Sequence, residues 1–188
     1  MKKYEFTGET KRVELWNRTA TLHRIKATVE FGFVKVGELG GWIEKEENLS
    51  HEGKAWVCGD AKVWGNAKVW GNAEVCGDAE VCGDAKVCGD AEVCGDAKVW
   101  GNVNVCGNAE VFLASHVLVM GSVGSRNDFT TFFRDKDNEI TVKCGCFLGK
   151  IDKFLEKVTQ THGNNKYALV YRAAVEVAKL QIELTERK

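Results

Sequence analysis

At 188 residues, with 27 acidic against 26 basic side chains and a formal charge of −1, the chain has room for one elongated domain with flanking modules, or two small ones. That balance removes any blanket attraction to nucleic acid or anionic membrane, so direct nucleic-acid binding is not expected. No apolar run approaches the ~18 residues of a membrane span, and the opening Met-Lys-Lys-Tyr-Glu-Phe lacks the apolar centre of a secretion signal, so a cytoplasmic setting away from membranes is expected.

Residues 1–54 do not repeat and are expected to form an N-terminal β cap. Arg12-Val-Glu-Leu-Trp-Asn and Leu22-His-Arg-Ile-Lys-Ala-Thr-Val read as strands, and Phe33 to Glu44 brings turn glycines and another short strand.

From Ala55 to Asn108 one six-residue phrase, Ala-x-Val-[Trp/Cys]-Gly-[Asn/Asp], is written nine times, with Val103 once replacing the leading Ala. Ala and Val stand two apart, the period of a strand, so they share one side while x and the Trp or Cys share the other. Gly followed by Asn or Asp tolerates positive φ and reads as a sharp corner. A strand and a corner every six residues leave no room for a helix and predict a coil of flat sides filled by Val and Ala.

The phrase resembles the hexapeptide-repeat family of left-handed parallel β-helices, an aliphatic residue with a small residue four positions later, as in Val57 and Ala61 or Val63 and Ala67. The resemblance implies three phrases per triangular coil. The nine clean phrases would then make three coils and the looser run Ala109 to Arg126 a fourth, so residues 55–126 form the β-helix. The expected fold is mainly β: a left-handed parallel β-helix of about four coils between the β cap and a C-terminal α+β module. An open end of such a helix exposes unpaired backbone and needs covering, the role expected of the cap.

If residues eighteen apart stack, three columns of outward side chains follow. The first side carries Cys58, Cys76, Cys94 and Phe112 beside Glu74, Glu92 and Glu110, with Asp60, Asp78 and Asp96 at its corner. The second carries Trp64, Cys82, Trp100 and Leu118 beside Lys62, Glu80, Lys98 and His116. The third carries Trp70, Cys88 and Cys106 beside Lys68 and Lys86. Periodic thiols are decoration rather than a disulfide framework, either small apolar packing residues or holders of a soft metal. An outward Trp is costly unless covered. Trp64, Trp70, Trp100, Cys82 and Cys88 are therefore the expected interface residues, meeting other subunits or the flanking segments. The family resemblance implies a homo-oligomer, commonly a trimer.

Residues 127–188 read as an α+β module. Ile140 to Phe147 reads as a strand, Ile151, Phe154, Leu155 and Val158 form a helical stripe stopped by Gly163, and a second helix begins near Lys166. Cys144, Cys146 and His162 offer three zinc ligands where a closed site takes four.

The segment Leu22 to Ala61, with Gly40-Gly41-Trp42-Ile43-Glu44 its most specific stretch, is similar to the lead-in of bacterial and prophage hexapeptide-repeat proteins labelled as acyltransferases or polymer-forming proteins. On this basis the expected function is a non-enzymatic oligomeric binding or scaffold protein, phage- or prophage-borne, that inhibits a host defence complex or sequesters a small signalling molecule. No cofactor is expected. The alternative implied by the family is an acyltransferase using acetyl-coenzyme A. It would need a His general base, and the clean phrases contain none; His116, in an outward slot after them, is the candidate.

Overall fold

Residues 2–15 and 18–184 are described by a computed structural model of the chain; Trp16 and Asn17, read above as the end of a strand, lie outside the described residues. β1 (Tyr4–Glu14) and β2 (Thr19–Ala27) form an antiparallel hairpin, and β3 (Leu39–Ile43) pairs antiparallel with β2. The repeat then supplies β4 (Trp56–Val57), β5 (Lys62–Val63), β6 (Lys68–Val69), β7 (Glu74–Val75) and β8 (Glu80–Cys82). It continues with β9 (Lys86–Val87), β10 (Glu92–Val93), β11 (Lys98–Trp100), β12 (Asn104–Val105) and β13 (Glu110–Val111).

These strands stack in parallel on three sides. The first side runs β4-β7-β10-β13, the second β3-β5-β8-β11 and the third β6-β9-β12. Partners within the repeat are 18 residues apart, as in Val57↔Val75, Val63↔Val81 and Val69↔Val87. Amides of one coil donate to carbonyls of the next: Lys62 N–H to Ala79 O at 2.9 Å and Glu92 N–H to Ala109 O at 2.8 Å. Every Ala and Val at the inward positions of the phrase is at most 3 % exposed, so the interior is one continuous aliphatic column.

The corner glycines Gly59 to Gly107 hold φ between 63° and 76°. Glycine, not the following Asn or Asp, supplies the left-handed residue; among the described residues the only non-glycine positive φ values are at Ser122, Asn127 and Asn138. Stacking makes the choice stricter than the turn alone would. A Cβ on Gly89 would sit 2.8 Å from the Gly107 nitrogen, where the next corner passes.

The solenoid begins earlier than the clean repeat. β3 is the first rung of the second side, with Trp42 opposite Lys62, and Leu49 bridges Val69 on the third. Gly40 and Gly41 permit this entry: a Cβ on Gly40 would meet Ile25 at 2.6 Å, and one on Gly41 would meet the Ala61 carbonyl at 2.6 Å. It also ends earlier. The coil expected over Ala109 to Arg126 is built only as far as Val111. After it the phrase loses its glycine corner, and β14 (Val117–Val123) leaves to pair antiparallel with β15 (Asp128–Arg134). The turns therefore number about four, shifted toward the N-terminus.

β16 (Ile140–Cys144) and β17 (Phe147–Lys150) complete an antiparallel sheet, a hairpin turning at Gly145 where the sequence read one strand. Its two faces bind different cores. Val117, Val119 and Phe133 close the solenoid, while Leu118, Met120 and Phe132 pack against α1 (Ile151–His162) and α2 (Lys166–Gln181). α1 ends at Gly163 with φ 56°, and the Asn165 side chain caps α2 by accepting from the Tyr167 and Ala168 amides. Among the described residues no helix is long and apolar enough to cross a membrane.

Candidate functional site

The third side is the floor of a groove. Lys68 and Lys86 are paired in register on β6 and β9, and Asn104 follows on β12. Their side chains point outward because the inward positions of the same strands are Val. At the corner beside them, Asn66 donates to the Asp84 carboxylate at 3.1 Å. The N-terminal margin is the 3₁₀ turn Glu46–Asn48, which brings Lys45 and Glu47. The opposite margin is the start of β15, with Asp128 and Phe129. Together they enclose about 700 Å³.

Both margins are pinned by polar contacts to the floor. Asn48 is fully buried; its side-chain amide donates to the Gly65 and Ala67 carbonyls at 3.2 and 2.8 Å and its oxygen accepts from the Lys45 amide at 2.9 Å. On the far side the Asn104 amide donates to Thr131 Oγ1 on β15 at 3.1 Å. The groove therefore exists only because both end modules grip the same side of the solenoid. Its charges are mixed, Lys45, Lys68 and Lys86 against Glu47, Asp84 and Asp128. Among the described residues, however, no carboxylate forms an ion pair with Lys68 or Lys86.

A second cleft, about 360 Å³, lies against the first side, where Phe33, Lys54 and Trp56 face Cys58, Glu74 and Glu92. Here Cys58 Sγ lies 3.6 Å from Glu74 Oε1, and the donor atoms of Cys58, Glu74 and Cys76 all lie within 4.8 Å of one another. This is the only group of three or more potential metal ligands with that spacing among the described residues. Asp60, from the expected aspartate column, is instead engaged by Trp42 Nε1 at 3.3 Å and Lys11 at 3.6 Å. Against known protein families and curated proteins, the chain matches neither a family nor an individual protein.

The expected interface residues fall in different surroundings. Trp64 is 5 % exposed, covered by Ala20, Leu22 and Trp42, with the half-buried Cys82 against the same cluster. Its cover is the chain's own hairpin. Trp70 and Trp100 are exposed, Trp100 more than Trp70, and the Lys98 ammonium sits 5.3 Å from the Trp100 ring. Cys88 and Cys106, both free thiols, stack on the third side and share one S–H···S hydrogen bond.

His116 departs most from its expected place. It closes a 3₁₀ turn (Ala114–His116) and is 3 % exposed rather than outward. Its Nδ1 accepts from the Phe112 amide at 3.2 Å, and Nε2 is enclosed without a partner. Burial pushes its pKa below the usual histidine range; Arg134 acts in the same direction against Glu183. Without the glycine corner, the chain folds the imidazole under the last rung. Leu118, expected on the second side, turns instead toward the helices.

Cys144, Cys146 and His162 are not brought together as a metal-ligand group. Cys144 is buried and accepts from Thr130 Oγ1 at 3.3 Å, Cys146 is exposed in the hairpin turn, and His162 contacts Ser125 Oγ at 3.1 Å while stacking on Tyr171. Sequence reasoning missed Asn48, Asn104, Thr131 and Phe129. Only Asn104 carried a signal, as the one Asn standing at the x position of the phrase.

Proposed function

We propose that this chain is a non-catalytic binding protein whose third-side groove holds a small phosphate-bearing molecule. The observation that carries the reading is the pair Lys68 and Lys86, two lysines one rung apart, neither in an ion pair among the described residues although Glu47, Asp84 and Asp128 line the same groove. An anion bridging them gains two charge-assisted contacts. The amides of Asn66, Asn102 and Asn104 add donors and acceptors beside it, and Phe129 supplies a flat wall. That combination suits a nucleotide, the phosphate on the lysines and the base toward Phe129.

Sequestering a signalling nucleotide is one form of this reading. Its phage-borne, anti-defence version rests on the sequence resemblance alone, as do left-handedness, trimer assembly and a host protein partner. The exposed Trp70 and Trp100 support an oligomer. The acyltransferase alternative has less support, since His116 opens onto neither cleft.

Native mass spectrometry of gently purified protein tests the reading, followed by titration with purine and pyrimidine nucleotides. The expected result is a co-purified or added nucleotide whose binding falls about tenfold or more in Lys68→Gln and in Lys86→Gln. Equal binding in wild type and both variants, or none to any nucleotide, overturns it. Acetyl-coenzyme A turnover lost in His116→Ala would restore the enzyme alternative.

A further inference from the structure

The first side carries a feature the groove does not use. Cys58 and Cys76 occupy the same outward slot on successive rungs, because Val57 pairs with Val75, and Glu74 precedes Cys76 by two positions on the strand. Residues two apart on a strand point to the same face, so Glu74 is directed outward alongside the thiol. The stack thus brings two thiols and one carboxylate to a single point.

The spacing matches the edges of a tetrahedral site. With metal–sulfur bonds of about 2.3 Å and metal–oxygen bonds of about 2.0 Å, neighbouring donors stand roughly 3.5–3.8 Å apart. Cys58 Sγ and Glu74 Oε1 are 3.6 Å apart, and all three donors are within 4.8 Å, so small side-chain rotations complete the geometry. All three are half-buried, and the cleft lined by Lys54, Trp56 and Glu92 leaves one direction open to solvent.

We propose that Cys58, Cys76 and Glu74 bind one thiophilic divalent cation of the zinc class, with water in the fourth position. On binding, two S–H protons pass to solvent and two metal–sulfur bonds form, while Glu74 contributes a carboxylate oxygen. Softness of the donors selects zinc-like ions over magnesium or calcium. The other thiol columns lack the third donor. Cys88 and Cys106 lie beside Lys86 and Lys143, and Cys82 packs in the Trp64 cluster. Protons compete with metal for the thiols, so affinity falls as pH falls.

The test uses the full chain, reduced and stripped with a chelator. Titration with Co²⁺, followed by Zn²⁺ competition, should give one equivalent with thiolate-to-cobalt charge-transfer absorption. Cys58→Ser and Cys76→Ser should each weaken binding about a hundredfold and Glu74→Gln about tenfold, while Cys82→Ser leaves it unchanged. Should the serine variants fail to fold, proton release from wild type decides: about two per metal supports the site and none overturns it. Absence of a thiolate band in wild type, or a band of full intensity in a folded Cys58→Ser/Cys76→Ser variant, also overturns it.

Discussion

The two paired-thiol columns occupy the same slot of the same phrase and meet different chemistry. On the first side Cys58 and Cys76 stand beside Glu74; on the third Cys88 and Cys106 stand beside Lys86 and Lys143. In each pair the hydrogen bond between the thiols is the largest influence on ionisation, raising Cys58 on the first side and, on the third, raising Cys88 while lowering Cys106. The surroundings then act oppositely. Glu74 disfavours a thiolate on the first side, whereas the two ammonium groups favour one on the third. The scaffold makes the pairs and the variable x residue assigns their chemistry. A carboxylate beside the thiols disfavours thiolate and adds the third donor of the proposed cation site, while ammonium groups beside thiols favour thiolate.

The most damaging way to break the comparison is to remove the scaffold common to both sides. Val81 is fully buried in the aliphatic column, so Val81→Asp should destabilise the fold by about 3–5 kcal/mol and abolish both sites, measured by denaturant unfolding. Next in size is conversion of one side into the other. Glu74→Lys should eliminate cobalt binding and increase the alkylation rate of Cys58 several-fold near neutral pH, because a charge that opposes the thiolate becomes one that favours it. An unchanged rate would show that Glu74 does not control this pair.

A subtler test compares the pairs by pH. In variants retaining one pair each, the Cys88–Cys106 pair should begin to react with an alkylating reagent at lower pH than the Cys58–Cys76 pair, and Lys143→Gln should narrow the gap. Protonation at the solenoid end adds a global pH effect. The folded His116 pKa lies below its unfolded value, so the unfolded chain binds more protons as pH falls through about 6.5. Stability is present above that pH and is lost progressively as pH drops toward and past the folded value; His116→Gln should flatten this acid limb in unfolding curves. The smallest effect belongs to the second side, where the partly exposed Lys62–Glu80 pair at 3.2 Å is worth at most about 1 kcal/mol, so Lys62→Gln should shift the unfolding midpoint little.

Much of the candidate surface was legible because a short period converts sequence position into spatial position. Placing Cys58 over Cys76, or Lys68 over Lys86, needs only the 18-residue register, which the repeat states directly. Trp64, Trp70 and Trp100 could not be told apart that way. All three occupy one slot, yet the hairpin covers Trp64 and leaves the other two exposed. His116 leaves the column for a related reason: the eighteen-residue register ends at Val111, beyond which no glycine corner sustains it. Phe129 and Asn48 reach the groove from outside the repeat, and no periodicity points to them.

The sequence by itself determined the three-sided stack, its register and its aliphatic interior, because inward Ala and Val and a left-handed glycine recur within six residues and local rules suffice. Only the tertiary structure decided where the stack begins and ends, which tryptophan is covered, and that both end modules close on the third side to make a groove. Those outcomes depend on contacts between residues far apart in the chain, such as Leu22 with Trp64 and Asn104 with Thr131. Non-repeating segments choose such contacts by the fit of whole surfaces, which no local pattern encodes.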